Sequence, residues 1–151
     1  MLGSLIRIIE WDATIKTNPD WILNLDAEEI FEDSFWDHAQ ELINNKDYDF
    51  YCFRLYDMWD ETHYREDEYW NAHSIYRPFL MRYQPGFTYK WNETPQHCGR
   101  FPVNTFSFPS VDSEFRVKHF GWATGEDRTE KNKRYQPLDS DAIYGIREQY
   151  D

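Results

Sequence analysis

The sequence predicts an α/β fold with a mixed sheet and flanking helices. Two segments repeat apolar residues at helical spacing, one from about Ser4 to Lys16 and one that begins near Asp33. Between them the short apolar run from Trp21 to Leu25 is typical of a buried strand, and residues 49–56 alternate as a strand does. Helical and strand periods therefore alternate along one chain, which favours the α/β class.

The elements of the first half follow from local signals. Asn18-Pro19-Asp20 ends the first helix, and the strand after it is expected to be a central one. Asp33 or Ser34 can cap the second helix. Its apolar face is formed by Phe35, His38, Ala39, Leu42 and Ile43.

The second half predicts shorter elements. The charged aromatic stretch 57–70 has no clean period and is expected to form a loop or a helical turn. Residues 77–83 and 87–91, joined by Pro85-Gly86, predict a β-hairpin.

Towards the carboxyl terminus, a loop is predicted over 101–112 and a strand over 115–120. The polar segment 126–135 favours a helix, and Asp139 or Ser140 can cap a last one.

Composition narrows the function classes. A chain of 151 residues is expected to form a single domain, and its 19% aromatic residues predict an ordered core or a stacking surface. The net charge of −12 argues against nucleic acid or an anionic membrane as the main partner. Two cysteines and no run of about 20 apolar residues predict a cytoplasmic protein without a membrane span.

The acidic cluster Asp26-Ala27-Glu28-Glu29 is the strongest candidate for chemistry. It follows the apolar run directly, at a place where open α/β sheets bind ligands. Oxygen ligands suit Mg²⁺ or Mn²⁺, which commonly hold substrate phosphates. The competing interpretation is a solvated loop that caps the next helix, with Glu29 as the cap or bound to a neighbouring donor.

The run from Pro19 to Phe31 resembles the metal-binding segment of family 2 glycosyltransferases, which have the GT-A fold. Their usual form is an apolar strand that ends in Asp-x-Asp, often followed by Glu. Further segments resemble the family in the same order: Arg7 to Trp11, Tyr76 to Phe79, Pro85 to Phe87 with Trp91, Gln96 to Arg100, Lys118 to Trp122, Glu126 to Arg128 and Lys133 to Tyr135.

The chain departs from the family in two ways. Glu28 stands where the second Asp is usual, which keeps the charge and adds a methylene. Family members also carry roughly 80–100 residues before this point, including the strands that bind the nucleotide base, about the size of a small domain. The resemblance therefore implies a truncated GT-A-like sheet that corresponds to the acceptor side.

The resemblance implies a metal site and its ligands. Asp26 and Glu28 would hold Mn²⁺ or Mg²⁺ against the diphosphate of a nucleotide-sugar donor. His119, at a predicted strand end before Gly121, is the expected third ligand, and His97 is its rival. For His119 the alternative is a half-buried histidine bonded to the backbone.

An inverting transferase also needs a carboxylate that takes the proton of the acceptor hydroxyl. The stretch 57–70 offers Asp57, Asp60, Glu61, Glu66 and Asp67, of which Asp60 and Asp67 are the predicted bases. Cys98 stands where some related enzymes place the base, and a thiol is a poor substitute.

Substrate contacts are predicted from aromatic and basic residues. Trp59, Trp70 and Trp91 can stack on sugar rings, although core packing is the competing interpretation for each. His97 and Arg100 belong to one resembling stretch. A basic cluster either approaches the diphosphate or forms a solvated helix face, and it consists of Arg128, Lys131, Lys133 and Arg134.

The sequence thus predicts a metal-dependent inverting glycosyltransferase, or a fragment of one, that uses a carbohydrate or other hydroxyl acceptor. The first alternative is a non-catalytic binding module, and the second is a metal-dependent phosphohydrolase. An exposed sheet edge further predicts association of copies into a homo-oligomer.

Overall fold

The computed structural model describes residues 2–92 and 99–138. The helices are α1 (Leu2–Ile15), α2 (Asp33–Asn44) and α3 (Gly125–Leu138). The strands are β1 (Trp21–Leu23), β2 (Glu29–Phe31), β3 (Phe50–Asp57), β4 (Tyr76–Arg82) and β5 (Ser110–His119). Short 3-10 helices span Ala72–Ser74 and Val103–Ser107.

The strands form a mixed five-stranded sheet in the order β1-β4-β3-β5-β2. The outer pairs β1/β4 and β2/β5 are antiparallel. Strands β3 and β5 run parallel, because Phe50 N–H donates to the carbonyl of Pro109 at one end and Met58 N–H to that of His119 at the other. The predicted α/β class and mixed sheet are confirmed.

The chain divides into two compact units. The first comprises residues 1–24, 37–53 and 78–113. Its core is aromatic and joins Trp11 of α1 to residues of three strands and a loop: Ile22, Phe50, Met81, Phe101 and Phe108. The apolar residues Leu5 and Ile9 of α1 are more than half exposed, so the buried face of this helix is centred on Trp11.

The second unit comprises residues 25–36, 54–77 and 114–151. Phe31 of β2 stacks on Phe35 at the start of α2, with ring centres 3.8 Å apart. Phe31 and Val117, which are cross-strand partners, are almost fully buried. This packing fixes the register of β2 on β5, because a slip by one residue would turn Phe31 to the opposite face.

The expectation that residues 21–25 form a central strand is wrong. Only Trp21–Leu23 are in a strand, and β1 is an edge strand that pairs with β4 alone. Asn24 N–H still donates to the carbonyl of Phe79 in β4 at 2.9 Å, and its side-chain amide donates to the carbonyl of Arg100 at 2.7 Å. The residue after β1 is thus held by one bond to β4 and by one bond to the loop at Arg100.

The predicted hairpin is half right. Its first strand is β4, and Gly86 adopts a positive φ of 84° in the turn, but residues 87–91 are not a strand. The side chain of Asn104 satisfies this backbone instead, because it accepts from Lys90 N–H at 2.9 Å and donates to Thr88 carbonyl at 2.8 Å. The alternating residues Phe87, Tyr89 and Trp91 still pack on the core.

Three other boundaries differ from expectation. The predicted loop 101–112 contains the helix Val103–Ser107 and the start of β5, which is longer than expected. Strand β2 was not predicted, since three residues are too few to show a period. The helix predicted from Asp139 or Ser140 lies outside the described residues.

Candidate functional site

Two parallel strands end side by side in the second unit and carry polar residues there. Strand β3 ends at Asp57 and β5 ends at His119. Both side chains are nearly buried, with exposed fractions of 11% and 14%. In open α/β sheets this carboxyl edge is where ligands bind.

The imidazole of His119 lies between two carboxylates. Its Nδ1 is 2.6 Å from Asp57 Oδ1, and its Nε2 is 2.9 Å from Glu28 Oε1. Glu28 is held there by the backbone, because its carbonyl accepts from Phe120 N–H and the next residue, Glu29, pairs with His119. The three side chains are therefore linked in the order Asp57–His119–Glu28, because the two ring nitrogens contact different carboxylates.

Lys131 of α3 completes the group. Its Nζ lies 2.6 Å from Glu28 Oε1, the same oxygen that faces His119. The side chain is 11% exposed, and its ammonium lies 4.8 Å from the ring centre of Trp122. A buried lysine normally needs such a partner, because an unpaired charge loses its hydration.

Gly121 makes room for this ion pair. A Cβ on Gly121 would lie 2.0 Å from Lys131 Nζ and 2.5 Å from Glu28 Oε1, far inside contact distance. The pair therefore rests directly on the backbone of Gly121. The glycine is needed for space, not for an unusual backbone angle, because its φ is not in the left-handed region.

The network perturbs two titrating groups in opposite directions. Burial raises the pKa of Glu28, but hydrogen bonds from Lys131 and His119 outweigh it and leave this pKa below its ordinary value. Burial lowers the pKa of His119, but the Asp57 carboxylate outweighs it and leaves this pKa above its ordinary value. Two anions and two cations balance when His119 is protonated.

A small polar cavity opens beside the ion pair. It has a volume of about 160 Å³. Its walls are charged apart from one glycine, and consist of Glu28, Gly121, Asp127, Glu130, Lys131 and Arg134. At 43% Glu28 is much more exposed than Asp57, His119 or Lys131, so a ligand in the cavity reaches the network through Glu28.

Of the predicted metal ligands, Glu28 and His119 are brought together. Asp26 lies in the turn between β1 and β2, where its N–H donates to Glu29 Oε2 at 2.8 Å. Glu29 thus binds a neighbouring donor, one of the two roles expected for it. Within residues 2–92 and 99–138, no three His, Cys, Asp or Glu side chains converge as a ready metal site.

The two predicted bases lie in the segment that follows β3. Asp60 accepts from the backbone N–H groups of Thr62 and His63 at 2.7 and 2.8 Å, and these bonds lower its pKa. Desolvation raises the pKa of Asp67, but Arg65 at 2.7 Å and two backbone N–H groups outweigh it and lower this pKa. Both carboxylates hold turns in place.

Trp59, Trp70 and Arg128 form a stacked cluster. The guanidinium of Arg128 lies 4.1 Å from the ring centre of Trp59 and donates to the carbonyls of Trp59 and Trp122. Trp70 is 3% exposed and packs edge-on against Trp59 and Trp122. The Trp70 Nε1 has no hydrogen-bond partner among the described residues.

Trp91 and Arg100 belong to the first unit. Trp91 packs edge-on against Trp11 with ring centres 5.7 Å apart, and the guanidinium of Arg100 lies 4.3 Å from the ring centre of Phe79. His97 lies outside the described residues.

In the sequence, Asp57 and Lys131 are only members of larger charged groups and are not distinguished from their neighbours. Asp57 could have been singled out, because it ends an alternating strand while the other acids of its stretch lie in a loop. Lys131 gave no such signal, since α3 is polar all round and four basic residues share it. Only the fold selects the one that turns inward.

Comparison of the chain with protein-family models, with curated proteins and with solved structures finds no match. The glycosyltransferase resemblance therefore rests on the motif residues and stays a prediction. No helix within the described part of the chain is long and apolar enough to cross a bilayer.

Proposed function

We propose that the chain is the acceptor-side part of a GT-A-type, metal-dependent glycosyltransferase. It would transfer a sugar with inversion from a nucleotide-sugar donor to a carbohydrate or other hydroxyl acceptor. The observation that supports this proposal is the line Asp57–His119–Glu28 at the carboxyl edge of two parallel strands. The acidic motif and the distant histidine, related in the sequence only by resemblance, meet within 2.9 Å.

Two of the three expected ligands, Glu28 and His119, have the spacing of neighbouring ligands on Mn²⁺ or Mg²⁺. Two neighbouring ligands on such an ion lie roughly 3 Å apart, since each metal–ligand bond is about 2.1 Å. The Glu28 Oε1 to His119 Nε2 distance is 2.9 Å. Asp57 accepts from the other ring nitrogen, and histidines that bind metals usually donate to a carboxylate in this way.

Different side chains would then bind the ion, orient His119 and accept the proton. Glu28 and His119 would hold the ion with Asp26, and the bound ion would neutralise charge on the departing diphosphate. Asp57 would accept from Nδ1–H and so keep the His119 tautomer whose Nε2 lone pair is available to the ion. Asp60 or Asp67 would accept the acceptor proton, and both must leave the turn bonds that now lower their pKa values.

Calorimetric titration of Mn²⁺, with and without UDP, tests the proposal. The wild type is expected to bind Mn²⁺ more tightly when UDP is present, and Asp26→Ala and Glu28→Gln to lose both effects. Glu114→Gln is the matched control, because Glu114 is a 79% exposed carboxylate earlier on β5. Absence of Mn²⁺ binding by the wild type would overturn the metal-dependent function, and release of phosphate from simple esters would favour a phosphohydrolase.

A non-catalytic binding module is the second candidate. The Glu28–Lys131 pair favours it, because a carboxylate that already has a buried cation needs no metal. A folded protein that binds neither Mn²⁺ nor UDP, yet binds oligosaccharides, would select this candidate.

We also propose a reducing, cytoplasmic setting and association of copies through a sheet edge. Burial raises the pKa of the Cys52 thiol to about 11, so this thiol is inert at neutral pH. The edge strands β1 and β2 are the available edges for association.

A further inference from the structure

Lys131 occupies the face of Glu28 that a metal ion would need. The ammonium and the imidazole of His119 both lie within 2.9 Å of the single oxygen Glu28 Oε1. One oxygen thus already serves two positive groups. A divalent cation that binds Glu28 and His119 must therefore compete with both positive groups for this oxygen.

The lysine is also fixed in position. The ion pair rests on Gly121, whose hydrogen atoms leave the space that a Cβ would fill. The ring of Trp122 lies 4.8 Å from the ammonium. The Lys131 side chain is 11% exposed, so water screens its charge only weakly where it stands.

Charge balance decides what happens when a cation enters. With His119 protonated, the network holds two carboxylates and two cations and is neutral. A divalent ion adds two positive charges, and a like charge a few ångströms away repels it strongly in a partly buried site. The imidazole is able to bind an ion through Nε2, but the ammonium on the same oxygen has no lone pair to offer and must move away.

We propose that Lys131 is a built-in competitor for the divalent cation, which holds Glu28 in the metal-free protein and is displaced when the ion binds. This inference rests on the proposed function, because it concerns the same site. It assigns Lys131 to regulation of metal affinity, whereas the sequence placed it only in a general basic cluster.

The test compares Mn²⁺ affinities of charge-neutral variants by calorimetry. Lys131→Met keeps the length of the side chain and removes its charge, so we expect Mn²⁺ to bind about tenfold or more tightly than to wild type. Lys133→Met is the matched control, because Lys133 is exposed on the same helix and its loss changes the net charge equally. Its affinity is expected to stay within about twofold of wild type.

A second readout follows the lysine itself. In spectra of protein labelled at the lysine side-chain nitrogen, saturating Mg²⁺ is expected to shift the Lys131 signal to that of a solvated ammonium and to leave the Lys133 signal in place. If Lys131→Met does not fold, Lys131→Gln is used, since it is neutral and can still donate to Glu28.

The outcomes separate this inference from the proposed function. Binding by wild type with no gain in Lys131→Met overturns the competition and leaves the metal site standing. Binding by Lys131→Met alone would overturn the displacement and the metal-dependent function together, because the lysine would then exclude the ion from the wild type altogether. If neither protein binds Mn²⁺ or Mg²⁺, both the inference and the metal-dependent function are wrong.

Discussion

Gly121 is the glycine, among those in the described residues, at which an added methyl group meets the closest atoms. An added Cβ would lie 2.0 Å from Lys131 Nζ and 2.5 Å from Glu28 Oε1, so the ion pair must separate or the backbone must move. We expect Gly121→Ala to lower the free energy of unfolding by about 1–3 kcal/mol, the usual cost of overpacking. Urea denaturation followed by circular dichroism measures this change.

Gly125→Ala is the matched control for that substitution. Gly125 begins α3, and the nearest atom to its added Cβ is Arg128 Nη2 at 3.9 Å, an ordinary contact. We expect its stability to stay within about 0.5 kcal/mol of wild type, as at other uncrowded positions. Equal losses in the two variants would show that the space above Gly121 is not filled as described.

His119 should make stability depend on pH. Its pKa is raised in the folded state above the ordinary 6.5, so the folded chain binds more protons in that window. The free energy of unfolding is therefore expected to fall as the pH rises from about 6.5 through the folded pKa. Glu28 acts at the other end, because its lowered pKa gives stability that is lost as the pH falls below 4.5.

Urea titrations from about pH 5 to about pH 9, in the presence of a chelator, test this dependence. His119→Gln should flatten the decline above pH 6.5, whatever its own stability. His63→Gln should keep the decline, because His63 is 78% exposed and bonds only within its own turn. A decline that persists unchanged in His119→Gln would assign it to another group.

At the scale of elements, the sequence predicts a helix or strand correctly where its periodic pattern is long. The amphipathic period of α2 and the alternation of β3 extend over 12 and 8 residues, and both elements are where the sequence placed them. The three-residue strands β1 and β2 are held by pairing partners far away in the chain, which no local pattern reveals. The side chain of Asn104 bonds the backbone where the second hairpin strand was expected, and this contact depends on the tertiary fold.

The same limit applied to the site. Glu28 and His119 were found through a motif resemblance, and the contact between them could not be read from their separation of 91 positions. Asp57 and Lys131 joined them because β3 ends beside β5 and because α3 turns one of its basic residues inward. Packing determines which of several similar charged residues joins the site. The sequence therefore predicts the group of candidates but not the individual residue.

Helix α3 is attached to the segment after β3 by Arg128, and this attachment is testable. The guanidinium donates to two backbone carbonyls, that of Trp59 at 3.1 Å and that of Trp122 at 2.7 Å. It also stacks on the Trp59 ring. We expect Arg128→Met to cost about 1.5–3 kcal/mol, as hydrogen bonds to a charged group do. Urea denaturation measures the loss.

Two further variants show which property of the Arg128 side chain causes the loss of stability. Arg128→Lys should recover only part of the loss, because both carbonyls accept from the single nitrogen Nη1, which an ammonium can imitate, but an ammonium lacks the planar face that stacks on the Trp59 ring. Lys133→Met, exposed on the same helix, should be neutral. A full recovery by lysine would mean that charge and hydrogen bonds attach α3 and that stacking on the Trp59 ring contributes nothing.

At the scale of the whole molecule, net charge opposes the association that the sheet edges favour. The chain carries a net charge of −12, and copies repel each other until salt screens them. Strand β2 is an edge strand, and Ile30 at its centre is 50% exposed. We therefore expect light scattering at tens of micromolar to give the monomer mass at low salt and to approach twice that mass at about 0.3 M NaCl.

Two isoleucine substitutions locate the edge that is used. Ile30→Lys places a charge on β2, a common protection of edge strands, and should keep the protein monomeric at every salt concentration. Ile75→Lys is the matched control, because Ile75 is 55% exposed outside the strands and the change in charge is the same. Its salt-dependent dimer should survive. A wild-type mass that stays monomeric in high salt would contradict edge association, because screening removes the repulsion that would otherwise explain it.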